Sequence, residues 1–177
     1  MDINNINNVK LGVIGCGKMA SAILEGVLKN NFLKKNNIFV YDINPDASKA
    51  LSERLSLNQT TSVQQLMNSS DVLLFATKPF VVDDVLKEVK KYYNNQLTAS
   101  ILAGVKIEKY ISVINNIKII RIMPNTPALV NMGMSAICPS KNVDSNDEKF
   151  VFDFMKNCGE VIVTTEDKMD IITALSG

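Results

Sequence analysis

The chain has 177 residues, 46% hydrophobic and 21% charged, and its 19 Lys and Arg against 18 Asp and Glu leave a net charge of +1. These ordinary globular values argue against a disordered tail and against a nucleic-acid binder that relies on a basic surface. No apolar run approaches the ~20 residues that cross a bilayer, and residues 1–10 lack the pattern of a secretion signal. We therefore expect a cytoplasmic protein with neither a membrane nor a nucleic acid as partner.

The chain contains no histidine, and its three cysteines, Cys16, Cys138 and Cys158, form no CxxC pair. The lack of histidine excludes Ser-His-Asp and Cys-His catalysis and histidine-bound metals. An odd number of widely spaced cysteines predicts reduced thiols rather than a disulfide framework. We expect no metal site, and we expect the chemistry to come from a cofactor or from Lys, Asp, Glu or Tyr.

Short, continuously apolar runs alternate along the chain with segments whose apolar residues have helical spacing. Strands are predicted at residues 9–14, 38–41, 71–76, 97–102 and 117–123. Helices are predicted at residues 18–30, 45–57, 79–91 and 107–114. Strands without polar alternation, separated by helices, are typical of an α/β fold whose doubly wound, mostly parallel sheet has helices on both faces.

The pattern changes after residue 128. Two further strands, at residues 134–138 and 160–164, are predicted on either side of a helix at residues 147–156. We expect them to extend one edge of the sheet. Residues 167–175 predict the start of a last helix.

A glycine-rich turn lies between the first predicted strand and the first predicted helix. Its sequence, Gly15-Cys16-Gly17-Lys18-Met19-Ala20, fits the G-x-G-x-x-A pattern of Rossmann-type domains. The first glycine permits a sharp turn, the second lets a pyrophosphate approach the main chain, and the helix N-terminus offers free N–H groups to the phosphates. This context predicts a Rossmann-type domain that binds a dinucleotide; a tight turn without a ligand is the alternative.

Asp42 lies where the second predicted strand ends. A carboxylate there can accept hydrogen bonds from the ribose hydroxyls of the adenosine half, which favours NAD over NADP. No arginine follows to hold a 2′-phosphate, although Lys49 lies within about a helical turn of the predicted helix start. The alternative is structural, because Asp42-Ile43-Asn44-Pro45 also suits a turn followed by a helix cap.

Two more strand ends carry candidate site residues. Lys78 follows the strand at 71–76, and its ammonium would offset phosphate or carboxylate charge in the crevice; a solvated lysine in a turn is the alternative. Ala103 and Gly104 follow the strand at 97–102 and would allow close approach of a nicotinamide ring, or form a simple loop.

The segment Met123-Pro124-Asn125-Thr126-Pro127 combines two prolines with two polar side chains. The prolines fix the loop, since each has a restricted φ. The amide and hydroxyl groups then bond either a ligand or the neighbouring backbone, and the pattern leaves both alternatives open.

Together these motifs resemble those of pyrroline-5-carboxylate reductases. The resemblance covers nearly the whole chain and rests on the glycine turn, Thr77-Lys78-Pro79, Ala103-Gly104-Val105 and, most specifically, the Met-Pro-Asn-Thr-Pro segment. The terminal Ala174-Leu175-Ser176-Gly177 is similar to the start of that family's Leu-Ser-Gly-x-Gly-Pro-Ala segment. In family members a helical domain follows, which makes the dimer and supplies much of the substrate pocket.

The resemblance implies reduction of 1-pyrroline-5-carboxylate to L-proline by NADPH or NADH. Residues 1–164 would form the cofactor domain, and residues 165–177 the start of a truncated helical domain. We expect the full-length protein to be a homodimer or a larger homo-oligomer. Two alternatives remain: a reductase of another imine or keto acid, and a nucleotide-sensing module without turnover.

The resemblance also implies roles for individual residues. The pyrophosphate would be held by Gly15, Cys16, Gly17, Lys18 and Met19, and the nicotinamide side would be lined by Ala76, Thr77, Lys78, Pro79, Ala103 and Gly104. Asp42 would lie beside the adenosine ribose, but family members often carry a small polar residue there, so the choice between NADH and NADPH stays open. Asn125 and Thr126 would lie near the reacting end and, with Lys78, are candidate catalytic residues; no general acid is identified.

Overall fold

The structure, a computed structural model, describes residues 6–176, and for Asn7, Leu175 and Ser176 it describes the backbone only. Its strands are β1 (Leu11–Ile14), β2 (Ile38–Tyr41), β3 (Asn58–Gln59), β4 (Val72–Phe75), β5 (Leu97–Ser100), β6 (Lys118–Met123), β7 (Gly133–Pro139) and β8 (Gly159–Val163). Its α-helices are α1 (Lys18–Lys29), α2 (Pro45–Leu55), α3 (Val63–Asn68), α4 (Val82–Lys90), α5 (Ile107–Val113), α6 (Ser145–Lys156) and α7 (Glu166–Ser176).

All eight strands lie in one sheet, in the order β3-β2-β1-β4-β5-β6-β7-β8. β1 to β6 run parallel to one another. β7 is antiparallel to β6, and β8 is parallel to β7, so these two strands form the predicted extension at one edge. The predicted Rossmann-type, mostly parallel sheet with extra edge strands is confirmed.

Both faces of the central strands are buried, because alternate residues enter two separate apolar clusters. In β4, Val72 and Leu74 join the cluster under α1, α2 and α6, whereas Leu73 and Phe75 join the cluster under α3, α4 and α5. Each fully buried aliphatic side chain contributes roughly 1.5–3 kcal/mol. This two-sided burial explains why the strands read as unbroken apolar runs.

Side-chain caps mark where three of the described α-helices begin. Asn44 caps α2, Ser62 caps α3 and Asp144 caps α6, each with an oxygen that accepts a backbone N–H of the first turn. α1 begins after Gly17 and has no side-chain cap. The N–H groups of its first turn are therefore left for another acceptor.

The structure departs from the predicted elements in three places. Residues 58–68 carried no prediction, but β3 and α3 lie there; β3 is only two residues long and polar, so no apolar run marks it. The helix predicted at 79–91 begins with a 3-10 turn, Pro79–Val81, before α4. α2 ends at Leu55, short of the predicted 57, because Ser56 adopts the left-handed conformation with φ of 58°.

α7 packs on the sheet beside β6 and β7. Its Met169 is fully buried in a small cluster with Met123, Ala136 and Cys138. The predicted last helix is confirmed, the domain boundary at residue 164 stays a prediction, and Gly177 of the terminal motif lies outside the described residues. Within residues 6–176, none of the helices has the length and apolar character needed to cross a membrane.

A charged cluster also fastens α7 to the sheet. Arg121 on β6 is 1% exposed, and its guanidinium donates to Glu166 Oε1 at 2.6 Å and to Asp170 Oδ1 at 3.1 Å. Burial lowers the pKa of Arg121, but the hydrogen bonds to both carboxylates outweigh it, and the net shift is upward. The hydrogen bond from Arg121 in turn lowers the pKa of Asp170. Arg121 and Asp170 therefore both stay charged at neutral pH.

We expect Arg121→Met to lower the free energy of unfolding by about 2–3 kcal/mol, because two charge-assisted hydrogen bonds are lost. Hydrogen exchange should show the loss of protection concentrated in α7. Lys149→Met is the matched control: it breaks an exposed ion pair with Asp153, and we expect a change below about 0.5 kcal/mol. Equal destabilisation by the two variants would contradict the role given to Arg121.

Candidate functional site

The carboxyl ends of neighbouring parallel strands lie level at one edge of the sheet. The register pairs Ile14 with both Tyr41 and Phe75, and Phe75 with Ser100. The loops and helical turns that directly follow these strands and β6 contain every predicted site residue, so the structure brings all of them to this edge. In an open parallel sheet, ligands bind at this edge where the strand order reverses, which here is between β1 and β4.

Gly15 is required by both its conformation and its surroundings. Its φ is +101°, and its N–H donates to the Tyr41 carbonyl at 2.8 Å. A Cβ at this position would lie 2.6 Å from the carbonyl carbon and oxygen of Ala76 and 2.7 Å from the Thr77 nitrogen. Only glycine fits, and the turn after β1 is thereby packed against the end of β4.

Gly17 presents the opposite case. Its φ of −76° suits any residue, and a Cβ there would meet nothing within 4 Å. Neither the backbone nor the packing of the protein therefore requires a glycine. The open space lies at the uncapped N-terminus of α1, where N–H groups and the helix dipole favour an anion.

The two residues after Gly17 offer the candidate site mainly their main-chain N–H groups. Lys18 is exposed, and the side chain of Met19 packs against the apolar cluster under α1. The first hydrogen bond of the helix runs from the Ser21 N–H to the Gly17 carbonyl at 3.0 Å. The preceding N–H groups of the first turn have no place in the helical ladder.

Asp42 is tied to the glycine turn. Its Oδ2 accepts the Cys16 N–H at 2.7 Å, and its Oδ1 accepts the Asn44 N–H at 3.0 Å. The structural alternative, a turn residue, is therefore present, while contact with a ribose stays a prediction. Burial and then the charge of Asp42 raise the pKa of the Cys16 thiol to about 12, so Cys16 is neutral and is no nucleophile.

Thr77 carries an unexplained polar atom at the end of β4. Its Oγ1 is buried and has no hydrogen-bond partner in the part of the chain that the structure describes. Leaving a hydroxyl buried and unpaired costs about 1–3 kcal/mol, so an additional partner at this position is favoured. The neighbouring Lys78 and Pro79 are exposed, and both alternatives for Lys78 stay open.

The two remaining loops are more exposed. Gly104 has φ of +74°, which requires glycine, and no atom lies within 4 Å of a Cβ built there; Ala103 is exposed beside it. Asn125 Oδ1 accepts the Met134 N–H at 2.9 Å, which fixes the loop to β7, so its oxygen already serves the structure. Thr126 is exposed at the start of the 3-10 turn Thr126–Val130.

These features fit a dinucleotide. The free N–H groups and the open space at Gly17 suit a pyrophosphate. The Asp42 carboxylate can accept hydrogen bonds from the hydroxyl groups of a ribose, and the Thr77 hydroxyl can bond a polar group of the ligand. Within residues 6–176, no group of three or more His, Cys, Asp or Glu is placed to hold a metal ion. The three cysteines are free.

Sequence reasoning missed two features of this edge. Ile43, next to Asp42, is 91% exposed and offers an apolar surface beside the carboxylate. Arg121, two residues before the Met-Pro-Asn-Thr-Pro segment, is buried and paired as described above. The sequence signal for Ile43 was an isolated isoleucine between turn-forming residues. The signal for Arg121 was a single arginine inside an apolar strand.

A family match agrees with this geometry. The family described as NADP oxidoreductase, coenzyme F420-dependent, matches residues 10–104, which is more than half of the chain. The chain belongs to this family. The matched residues include the glycine turn, Asp42 and the loops after β4 and β5, and stop before the proline loop.

Individual relatives confirm the narrower resemblance that the motifs predict. The Escherichia coli pyrroline-5-carboxylate reductase is 35% identical over 170 residues, which is 95% of this chain and 63% of that protein. The crystal structure of the Plasmodium falciparum pyrroline carboxylate reductase with NADP bound matches with a TM-score of 0.87 and 37% identity, over 98% of this chain and 64% of that one. A pyrroline-5-carboxylate reductase from Coxiella burnetii matches with a TM-score of 0.90 and 28% identity, over 97% and 64%. The chain thus spans less than two thirds of the length of these family relatives.

We expect Gly17→Leu to keep the free energy of unfolding within about 1 kcal/mol, because its Cβ meets no atom of the protein. The same variant should weaken NADH and NADPH binding at least ~100-fold in calorimetry, because the side chain fills the space over the N-terminus of α1. Gly15→Ala is the matched comparison and should destabilise the fold by about 2 kcal/mol or more. Unchanged nucleotide affinity in folded Gly17→Leu would refute the pyrophosphate site.

Thr77→Val tests the unpaired hydroxyl. We expect the ligand-free protein to keep or slightly gain stability, by up to about 1 kcal/mol, and its dinucleotide affinity to fall about tenfold because one hydrogen bond is lost. Thr98→Val is the control, since Thr98 Oγ1 is equally buried and unpaired but lies inside β5. An equal loss of affinity in both variants would show that Thr77 has no direct contact with the ligand.

Proposed function

We propose that the protein reduces the C=N bond of 1-pyrroline-5-carboxylate with NADPH or NADH to give L-proline, and that this chain supplies its dinucleotide-binding domain. The proposal rests on one observation. The uncapped N-terminus of α1, which directly follows Gly17, lies at the same sheet edge as the proline loop (residues 123–127). Identities of 35% and 37% to two proteins named as pyrroline-5-carboxylate and pyrroline carboxylate reductases support it.

The residues of this chain would hold and orient the cofactor. The first-turn N–H groups of α1 bind the pyrophosphate, and Gly17 leaves room for it. Asp42 accepts hydrogen bonds from the adenosine ribose. Ala103 and Gly104 leave space for the nicotinamide ring, which supplies the hydride when the cofactor is bound.

The substrate would lie against the loop after β6. Pro124 and Pro127 restrict this loop, and the Asn125 oxygen holds it to β7, so the Asn125 amide nitrogen and the Thr126 hydroxyl are left to orient the imine acid. The exposed ammonium of Lys78 would attract the substrate carboxylate. A protonated imine is already a good electrophile, so a strong protein acid is unnecessary, which agrees with a chain that lacks histidine.

Three expectations from the sequence remain predictions. They are a cytoplasmic location, a homodimer or larger homo-oligomer, and a helical segment beyond residue 177 that completes the substrate pocket. Supporting the last of these, the chain spans 63% to 64% of the relatives named above.

The direct test uses the full-length protein with 1-pyrroline-5-carboxylate and either reduced cofactor. We expect loss of nicotinamide absorbance matched by proline formation, a Gly17→Leu variant without measurable turnover, and a Lys149→Met control at the parent rate. No proline with either cofactor would overturn the proposal. Binding without turnover would instead favour a nucleotide sensor, and turnover only of another imine or keto acid would favour a related reductase.

A further inference from the structure

The Asp42 carboxylate is held in one orientation. Each of its oxygens accepts a backbone N–H, from Cys16 at 2.7 Å and from Asn44 at 3.0 Å. Each carboxylate oxygen has two acceptor positions, so one remains on each for a ligand hydroxyl. These two hydrogen bonds hold the carboxylate beside the glycine turn, where the proposed ligand binds.

The start of α2, directly after Asp42, offers no N–H group to an anion. Pro45 has no N–H, and the Asp46 N–H donates to the Asn44 side chain at 3.1 Å. The N–H groups of Ala47 and Ser48 both donate to the Asn44 carbonyl, at 3.1 and 3.4 Å. We call this helix start closed, because its N–H groups already have acceptors within the protein. The start of α1 is open in the same sense, because it has no side-chain cap.

The charges around the end of β2 are also unfavourable for a second phosphate. Asp46 adds a further carboxylate in the first turn of α2. Arg54, in the last turn of the same helix, is paired with Glu25 and donates to Ser21 Oγ at 2.5 Å. Lys49 is exposed on α2 and is the cation in this helix left to oppose the two carboxylates.

We propose that Asp42 makes this site select NADH over NADPH. The ribose 2′-hydroxyl of NADH donates to a remaining acceptor position of Asp42, whereas the 2′-phosphate of NADPH brings a dianion against a fixed carboxylate and a closed helix start. This inference rests on the proposed dinucleotide site.

Calorimetry on this chain measures the selection without turnover. We expect NADH to bind at least ~10-fold more tightly than NADPH, and 5′-ADP at least ~10-fold more tightly than 2′,5′-ADP, because the repulsion acts at the ribose alone. Raising the salt concentration should bring both affinity ratios, NADH to NADPH and 5′-ADP to 2′,5′-ADP, closer to one, because salt screens the repulsion.

Variants assign the effect to one residue. Asp42→Asn keeps an acceptor oxygen but removes the charge, and should bring the NADH to NADPH affinity ratio within about threefold; Asp42→Ser is a second variant if the first does not fold. Asp46→Asn removes an equal charge about one helical turn further on and should change the ratio less than about twofold.

The outcomes separate the two proposals. A parent chain that binds NADPH as tightly as NADH, or more tightly, overturns the selection by Asp42 and leaves the proposed function standing. A preference for NADH that persists in folded Asp42→Asn and Asp42→Ser also overturns it. If neither nucleotide binds, the proposed function itself is wrong, and the selection is refuted with it.

Discussion

The backbone of Gly15 packs directly on the backbone of Ala76 and Thr77, and the candidate site depends on this contact. A Cβ at Gly15 would lie 2.6 Å from Ala76, so the turn after β1 cannot lie where it does with any other residue. The same turn is bonded through Gly15 and Cys16 to the end of β2. Three strand ends thus form one rigid unit, and the amides of α1 and the Asp42 carboxylate are held at a fixed separation before any ligand arrives, which limits the entropy lost on binding.

Two helices that follow neighbouring strands differ in how they begin, and this difference divides the crevice. α1 starts behind Gly17 without a cap, whereas α2 starts behind Asn44, whose side chain and carbonyl engage the N–H groups of the first turn. An anion is therefore stabilised at one helix and not at the other. In the proposed site, this arrangement would accept the pyrophosphate shared by both nicotinamide cofactors and would disfavour the additional phosphate of NADPH.

The sheet edge near β6 and β7 is held by polar contacts as well as by apolar packing. Arg121 joins β6 to α7 through two carboxylates, and Asn125 joins the proline loop to β7. Only Pro124 separates the end of β6 from Asn125, whose side chain would orient a substrate.

The sequence by itself determined the Rossmann-type sheet, the order of most elements and the glycine turn, because two-sided burial and a strand-turn-helix junction leave local patterns. It did not reveal β3 and α3. Both elements are short, and they depend on tertiary contacts because neither contains a long apolar run that would mark it in the sequence. The sequence also left two alternatives open for Asp42 and gave no indication of the surroundings of Thr77 or Arg121. Only the tertiary structure decided that Asp42 bonds the glycine turn, that Thr77 is buried without a partner and that Arg121 pairs with α7, because each depends on residues distant in the chain whose meeting no local pattern encodes.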